Sequence, residues 1–355
     1  MSSVMNERDA ARQALLEKAG WSDASVIPLT ADASTRRYFR LGRGDETALL
    51  MDAPPGAEAA CCPPDADEAA RRALGYNAMA RLAGPRLNAF TGIAKLLRQH
   101  DVRAPNVLAD DPVNGFALLE DFGDLLLAKA AVVPEDEARH YAGAMDVLRA
   151  VRKISVPDAA GDWPLLTYDN LVLLTEAGLL TEWFAPHIGV SLSDRALEDW
   201  NSAWLETLSQ LSPPTTLVLR DYHAENILVA DDDGLAIIDF QDALVGHAAY
   251  DAVSLLEDAR RDVAPGVIDA LYQTDRASVP DPAQYDIDYA VLAAQRNAKI
   301  LGIFARLINR DGKAKYASFL PRVLKLYQID LIRPPVAPIR RWTEQYMPDL
   351  LKVIS

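Results

Sequence analysis

The 355-residue chain predicts an α+β protein of two lobes, a β-rich first lobe over residues 1–122 and a mainly helical second lobe over residues 123–355. Three features carry that expectation. Short runs rich in β-branched and aromatic residues crowd into the first third: "SVIPL", "RRYFRL", "TALLMD", "NVLAD" and "GFALLED". Beyond Gly123 the apolar residues recur mostly at helical spacing. Half of all residues are apolar, enough to fill two modest cores.

In chain order, an amphipathic helix is expected over Asn6 to Ala19, ahead of the first three runs, which read as a meander. The stretch "APPGAEAACCPPDADEAA" (Ala53 to Ala70) has four prolines and little periodicity and reads as a surface loop. Helices should follow over Ala66 to Leu82 and Phe90 to Gln99, and the turn "DPVN" separates the last two strands of the lobe. In the second lobe, helical patterns cover residues 134–154, 168–188, 194–211, 283–311 and 312–332. The exception is "LVLRDYHAENILVADDDGLAIIDFQDA" (Leu217 to Ala243), whose apolar runs are short and strand-like. The tail from Arg333 reads as a proline-broken return over the surface.

Composition excludes several classes of function. A formal net charge of −15 argues against nucleic acid as a partner, because phosphate binding needs clustered Lys and Arg. No run of about 18 apolar residues is present, and the N-terminal stretch mixes acids and bases where a signal peptide has an apolar core, so the expected location is the cytoplasm, away from the membrane. The two cysteines, Cys61 and Cys62, are adjacent and suit neither a disulfide framework nor a zinc site. The P-loop, the dinucleotide G-x-G-x-x-G, the G-x-S-x-G elbow and H-E-x-x-H are all missing.

What remains is R-D-x-x-x-x-N, an apolar strand, the turn "DDDG", a second apolar strand and "DF". A lone Asp and Asn beside a strand are ordinary turn formers. Phosphoryl transfer gives the combination a further reason: an Asp on a rigid loop takes or orients the proton of the attacking hydroxyl, while an Asn five residues on and an Asp after the next hairpin hold a magnesium ion. Asp221, Asn226 and Asp239 have that order and spacing, and pairing of Ile227–Val229 with Leu235–Ile238 would bring Asn226 and Asp239 to one end of a hairpin.

"LRDYHAENIL" followed by "IIDFQDALVGHAAYDAVSLLEDARRD" resembles the aminoglycoside phosphotransferase and choline kinase-like superfamily, whose fold is protein-kinase-like and bilobal. "ADASTRRYFRL", "LLMDAPP" and "FALLEDFGD" are similar to its bacterial cell-wall-recycling branch, which phosphorylates the anomeric hydroxyl of N-acetylmuramate and N-acetylglucosamine. The resemblance implies ATP and Mg2+ as cofactors and an amino sugar as the small-molecule partner. It implies Asp221 as the catalytic base, Asn226 and Asp239 as magnesium ligands, and a hinge over Leu118 to Phe122 where backbone near Glu120 and Phe122 meets adenine. Ser34, Thr35 and Arg36 would then offer donors to the phosphates. Asp251 would brace the catalytic loop by accepting backbone N–H groups. On the acceptor side it points to Asp169, Glu182, Trp183, Asp242 and the pair Arg260 and Arg261, for which the plain alternatives are core packing of Trp183 and an ion pair of the arginines near Glu257 and Asp258.

The chain departs from the family pattern in places. Leu219 stands where many members have His, Met51 falls where the phosphate-pairing Lys is expected, and Thr91 and Gly92 occupy the slot of its Glu partner. Magnesium, backbone donors, or one of Arg36, Arg37 and Arg40 must then meet the triphosphate charge. A kinase of an aminoglycoside or an amine alcohol such as choline, and a nucleotide-binding regulator without catalysis, remain open alternatives. Sequence alone leaves the oligomeric state unassigned.

Overall fold

The structure, a computed structural model, describes residues 2–29, 36–55 and 61–352. The chain begins with α1 (Ser2–Lys18), β1 (Ser25–Pro28), β2 (Arg37–Arg43), β3 (Glu46–Asp52), α2 (Glu68–Leu74), α3 (Tyr76–Met79) and α4 (Leu87–Gln99). It continues through β4 (Val107–Asp111), β5 (Phe116–Glu120), α5 (Leu127–Ala130), α6 (Pro134–Arg152), β6 (Ala159–Ala160) and β7 (Trp163–Pro164). Next come α7 (Asn170–Ala177), α8 (Ala185–His187), α9 (Asp194–Leu208), β8 (Thr216–Val218), β9 (Ile227–Val229), β10 (Leu235–Ile237) and β11 (Leu244–Gly246). Five helices close the chain: α10 (Tyr250–Leu256), α11 (Pro265–Ala277), α12 (Pro282–Asn309), α13 (Leu320–Leu331) and α14 (Ala337–Tyr346).

The elements pack as two units. Unit 1 gathers Met1–Ala130, Lys153–Leu166 and Glu225–Ala243, and unit 2 gathers Ala131–Arg152, Thr167–Ala224 and Leu244–Ser355. This grouping differs from a single cut after Phe122, because the hinge runs on into α5, and because β6–β7 and β9–β10 pack with the first segment of the chain.

Unit 1 holds a five-stranded antiparallel sheet in the order β1-β2-β3-β5-β4. Alternation decides its faces. Leu41, Ala48, Leu50, Phe116 and Leu118 point one way and close a core with Leu15, Leu16 and Trp21 of the α1 region. The other face carries Tyr38, Arg40, Leu49, Met51, Ala117 and Leu119, since Tyr38 pairs with Met51, Arg40 with Leu49, and Met51 with Ala117. Helix α4 buries Leu87, Phe90, Ile93, Ala94 and Leu97, and Phe90 stacks on Phe240 at 5.0 Å between ring centroids. The helix expected over Ala66 to Leu82 is broken into α2 and α3 by Gly75, whose φ of 92° an L side chain rarely adopts.

Unit 2 is built around α12, whose residues from Tyr289 to Leu301 are buried without interruption. Polar residues in that stretch, among them Gln295, Asn297 and Lys299, are buried with partners: the Leu173 carbonyl, Glu257 with Asp330, and Glu176. Gly302 lets it approach α7 and the π turn at Leu180–Phe184: a Cβ there would lie 2.3 Å from the Leu179 carbonyl carbon. The proline-rich tail is not a surface return. Pro338 starts α14 in its first turn, and the buried Trp342 packs on Trp200 at 4.5 Å and donates its indole N–H to the Ala196 carbonyl of α9 (2.8 Å). Helix α11, which the periodicity reading passed over, also opens on a proline, Pro265.

Candidate active site

In unit 1 the hairpin β9–β10 pairs Ile227 with Ile237 and Val229 with Leu235. The Ile238 amide then donates to the Asn226 carbonyl at 3.0 Å, closing the hairpin at the end that carries the two candidate metal residues. Asn226 Nδ2 lies 3.4 Å from Asp239 Oδ2. Asp239 has a φ of 60°, a left-handed backbone that turns its carboxylate out of the strand path. Gln241 Nε2 donates to Asp239 Oδ1 at 2.8 Å and fixes the carboxylate's rotation.

These oxygens fit magnesium. Mg2+ takes one or two protein oxygens and completes its shell with water and substrate phosphates, and an Asp carboxylate beside an Asn amide supplies that number. Among the described residues no group of three or more His, Cys, Asp and Glu gathers into a metal cage.

The same unit has a cavity of about 470 Å³ lined by Thr47, Glu120, Phe122, Gly123 and Ala230, with Arg40, Arg103, Asp121 and Asp232 around it. The two candidate hinge residues therefore line one space. Glu120 donates its own amide to the Asn106 carbonyl (2.9 Å), and its carboxylate accepts from the Asn106 amide and from Arg98, both at 3.1 Å. The Phe122 ring is buried with Leu228, Ala230 and Ala236 and lies under the Arg103 guanidinium at 4.9 Å.

Met51 is fully buried, and no amine stands at its position. Gly92 fills the helix slot opposite because α4 meets the β6–β7 hairpin there: a Cβ on Gly92 would lie 2.1 Å from the Ala160 carbonyl oxygen. The three arginines have different partners. Arg37 pairs with Asp52. Arg40 forks onto Asp121 (2.7 and 3.1 Å) and Asp124 (2.6 and 2.9 Å) beside the hinge. Arg36 Nη1 lies 3.8 Å from Asp239 Oδ1, and its Nη2 donates to the Gly84 carbonyl at 3.3 Å. Ser34 and Thr35 lie outside the described residues.

In unit 2, Asp221 follows β8 on a loop with unusual backbone. Arg220 has a φ of 75°, and the Asp221 amide donates back to the Leu219 carbonyl at 2.9 Å. Asp251, at the start of α10, accepts from the Leu219 amide (2.7 Å) and the Arg220 amide (2.9 Å), the bracing expected of it. Burial pushes the Asp251 carboxyl up to about 6 while these two N–H groups pull it down. Beneath the loop, the fully buried Glu176 holds Arg220 and, at 2.8 Å, Lys299. Burial opposes its ionisation, but the two cations win and hold Glu176 down at about 2.

The candidate acceptor residues each have local surroundings of their own. Asp169 accepts from the Val172 amide (2.9 Å) and caps α7. Glu182 and Trp183 sit in the π turn, Glu182 exposed and Trp183 half-buried. Asp242 belongs to unit 1, where it accepts from the Ala83 amide at 2.6 Å. Arg260 lies 3.0 Å from His223 Nε2, two residues after Asp221; burial and this guanidinium push His223 down to about 3, so the imidazole is neutral at physiological pH. The Arg260 amide donates to Asp258 at 2.8 Å, while the Arg261 side chain has a partner on α6. It reaches Glu137 of α6 and the Ala131 carbonyl (3.0 Å), and Glu257 takes Arg333 instead at 3.0 Å. His223, Glu176 and Lys299 carry no signature at sequence level, because each acts through a partner distant along the chain.

A Pro-free β-hairpin carrying Asn226 and Asp239, with a braced R-D loop before it, lies within residues 25–287, and that span matches the profile of the phosphotransferase enzyme family. The chain belongs to that family. The phosphotransferase is 41% identical to the N-acetylmuramate/N-acetylglucosamine kinase of Caulobacter vibrioides over 98% of both chains. It is 33% identical to the protein of the same name from Pseudomonas aeruginosa over 92% of this chain and 90% of that one. A choline/ethanolamine kinase family protein from Mesorhizobium loti superposes with a TM-score of 0.58 at 16% identity, covering 94% of this phosphotransferase and 99% of that chain. An aminoglycoside phosphotransferase in complex with ADP and hygromycin B superposes with a TM-score of 0.55 at 12% identity, covering 88% and 96%. The two structures show the fold as protein-kinase-like. The phosphotransferase is a small-molecule kinase, and among its described residues no helix is long and apolar enough to cross a membrane.

Proposed function

We propose that this enzyme uses magnesium-ATP to phosphorylate the anomeric hydroxyl of N-acetylmuramate and N-acetylglucosamine. The observation that carries the sugar assignment is the likeness at 41% identity, along 98% of the chain, to a kinase named for those two substrates. Asn226 and Asp239 at the end of the β9–β10 hairpin support the magnesium-nucleotide part.

In this reading adenine enters the cavity at Thr47 and Phe122. Because the Glu120 amide is already donated to Asn106, the base bonds to the Glu120 carbonyl and to the backbone of Phe122. Asn226 and Asp239 hold magnesium, with Gln241 keeping the Asp239 carboxylate in its rotamer. A magnesium ion held there would supply Lewis-acid neutralisation of the phosphate oxygens. Asp221 accepts a hydrogen bond from the anomeric hydroxyl, orients its oxygen in line with the γ-phosphorus and takes the proton as the new O–P bond forms. A hemiacetal hydroxyl is more acidic than an ordinary alcohol, so a carboxylate suffices as acceptor. On the acceptor side Arg260 is the residue whose charge suits the lactyl carboxylate of a muramic acid, while Trp183 offers a ring to a pyranose face.

The test is ADP release with N-acetylmuramate, N-acetylglucosamine, glucose, choline and an aminoglycoside, followed by phosphorus NMR of the product. Turnover on the two N-acetyl sugars, with phosphorus coupled to the anomeric proton, is expected. Turnover confined to choline or the aminoglycoside would keep the kinase and overturn the sugar, and ATP binding with no turnover on any acceptor would overturn the catalytic reading.

A further inference from the structure

We propose that Arg36 takes the place of the missing strand lysine as the cation that grips the nucleotide's phosphates, resting on the magnesium-ATP reading above. The sheet face decides the position. Met51 and Tyr38 are directly paired across β3 and β2, and Arg36 precedes β2 in step with Tyr38, so its side chain covers the face from which an amine at residue 51 would rise. The Arg36 guanidinium lies close enough to the Tyr38 phenol to counter part of the upward push that burial gives it, donates to the Gly84 carbonyl at 3.3 Å and stands 3.8 Å from Asp239, with only 11% of its side chain exposed. It is a cation held beside a candidate magnesium ligand.

The other two arginines are placed differently. Arg37 points to the α1 face, where Asp52 takes it, and Arg40 is spread over two carboxylates at the hinge end of the same face. Only Arg36 of the three lies at the Asp239 end. The substitution also explains why the helix glutamate is missing. A lysine on a flexible stem needs a carboxylate to aim it, whereas the planar guanidinium of Arg36 is aimed by Tyr38, Gly84 and Asp239 without help from α4. With that task gone, α4 carries Gly92 and packs so tightly on Ala160 that no longer side chain fits. When magnesium occupies Asp239 the Arg36 fork turns its N–H groups to the β- and γ-phosphate oxygens, where two parallel hydrogen bonds form a stronger contact than one ammonium makes.

Calorimetry without any acceptor sugar tests this on the full chain. Arg36→Met should weaken binding of MgATP and MgADP by about tenfold or more and leave adenosine affinity unchanged. Arg36→Lys, which keeps the charge and loses the fork, should fall in between. Adding Met51→Lys to Arg36→Met should restore part of the MgATP affinity. MgATP affinity unchanged in Arg36→Met, or an equal loss for MgATP and adenosine, would overturn the assignment. Failure of the unaltered protein to bind MgATP would instead sink the kinase reading on which the assignment rests.

Discussion

In the proposed mechanism Asp221 and Asp251 divide two tasks that a single deletion experiment confuses. Asp221→Asn keeps the loop and removes the proton acceptor, so kcat should fall by about 10² to 10⁴ while MgATP affinity holds; Asp239→Ala should weaken MgATP binding itself. Full activity in Asp221→Asn would remove Asp221 from the chemistry. Asp251 acts on the loop backbone. Its carboxyl is raised to about 6 in the fold, above the ordinary value near 3.9. Its contribution to stability is therefore fully present below about pH 3.9 and is lost as pH rises through about 6. Bracing runs the opposite way, because the protonated carboxyl no longer accepts from both amides. We expect an acid limb in kcat near pH 6 that flattens in Asp251→Asn, whose activity should be about 10 to 100-fold lower throughout. His223 cannot supply that limb, being neutral down to about pH 3. Glu176→Gln would strand Arg220 and Lys299 without their anion and should cost about 3 to 5 kcal/mol in urea unfolding; a cost under 1 kcal/mol would show that the pair is solvated.

At the scale of elements, α14 and the β9–β10 hairpin show what a sequence reveals. The hairpin was legible because apolar runs, an Asp-Gly turn and two flanking polar residues are all local, and the observed Ile238 to Asn226 bond closes it at the expected end. Helix α14 was misread because its prolines look like breakers, yet Pro338 occupies a first-turn position that lacks no hydrogen bond. Its buried face is visible only once α9 presents Trp200. Trp342→Ala should accordingly cost about 3 to 5 kcal/mol, and a neutral result would leave α14 as decoration. The arginines follow the same logic. The spacing of "RRYFR" names three cations, but which of them meets Asp239 depends on strand phase and on carboxylates from Asp52 to Asp124.

For the whole molecule, the residues proposed to hold the nucleotide come from three separate stretches of unit 1: β2 and β3, the proposed hinge from Glu120 to Gly123, and the hairpin from Asn226 to Asp239. Hydrogen exchange in the presence of MgADP should slow in all three together, and nucleotide at about 100 times its Kd should add about 2.7 kcal/mol to the apparent stability. Protection confined to one stretch would mean that the nucleotide sits elsewhere. The two-lobe character was legible from composition, but the segment exchange was not, since nothing in a local window says which core a short hairpin will join.

That exchange bears on how the chain is made. When Ala130 leaves the ribosome, the first unit still lacks the strand that covers Leu126 and Phe122 and the ring that stacks on Phe90, because Leu228 and Phe240 have not been synthesised. Roughly a hundred further residues, on the order of ten seconds of translation, must pass before it can close. The nascent amino-terminal half therefore waits with an open apolar seam, and the piece that finally seals it is the one bearing the two candidate magnesium ligands. A polypeptide halted before Asn226 would lack both candidate magnesium ligands and leave that seam open, a ready client for chaperones.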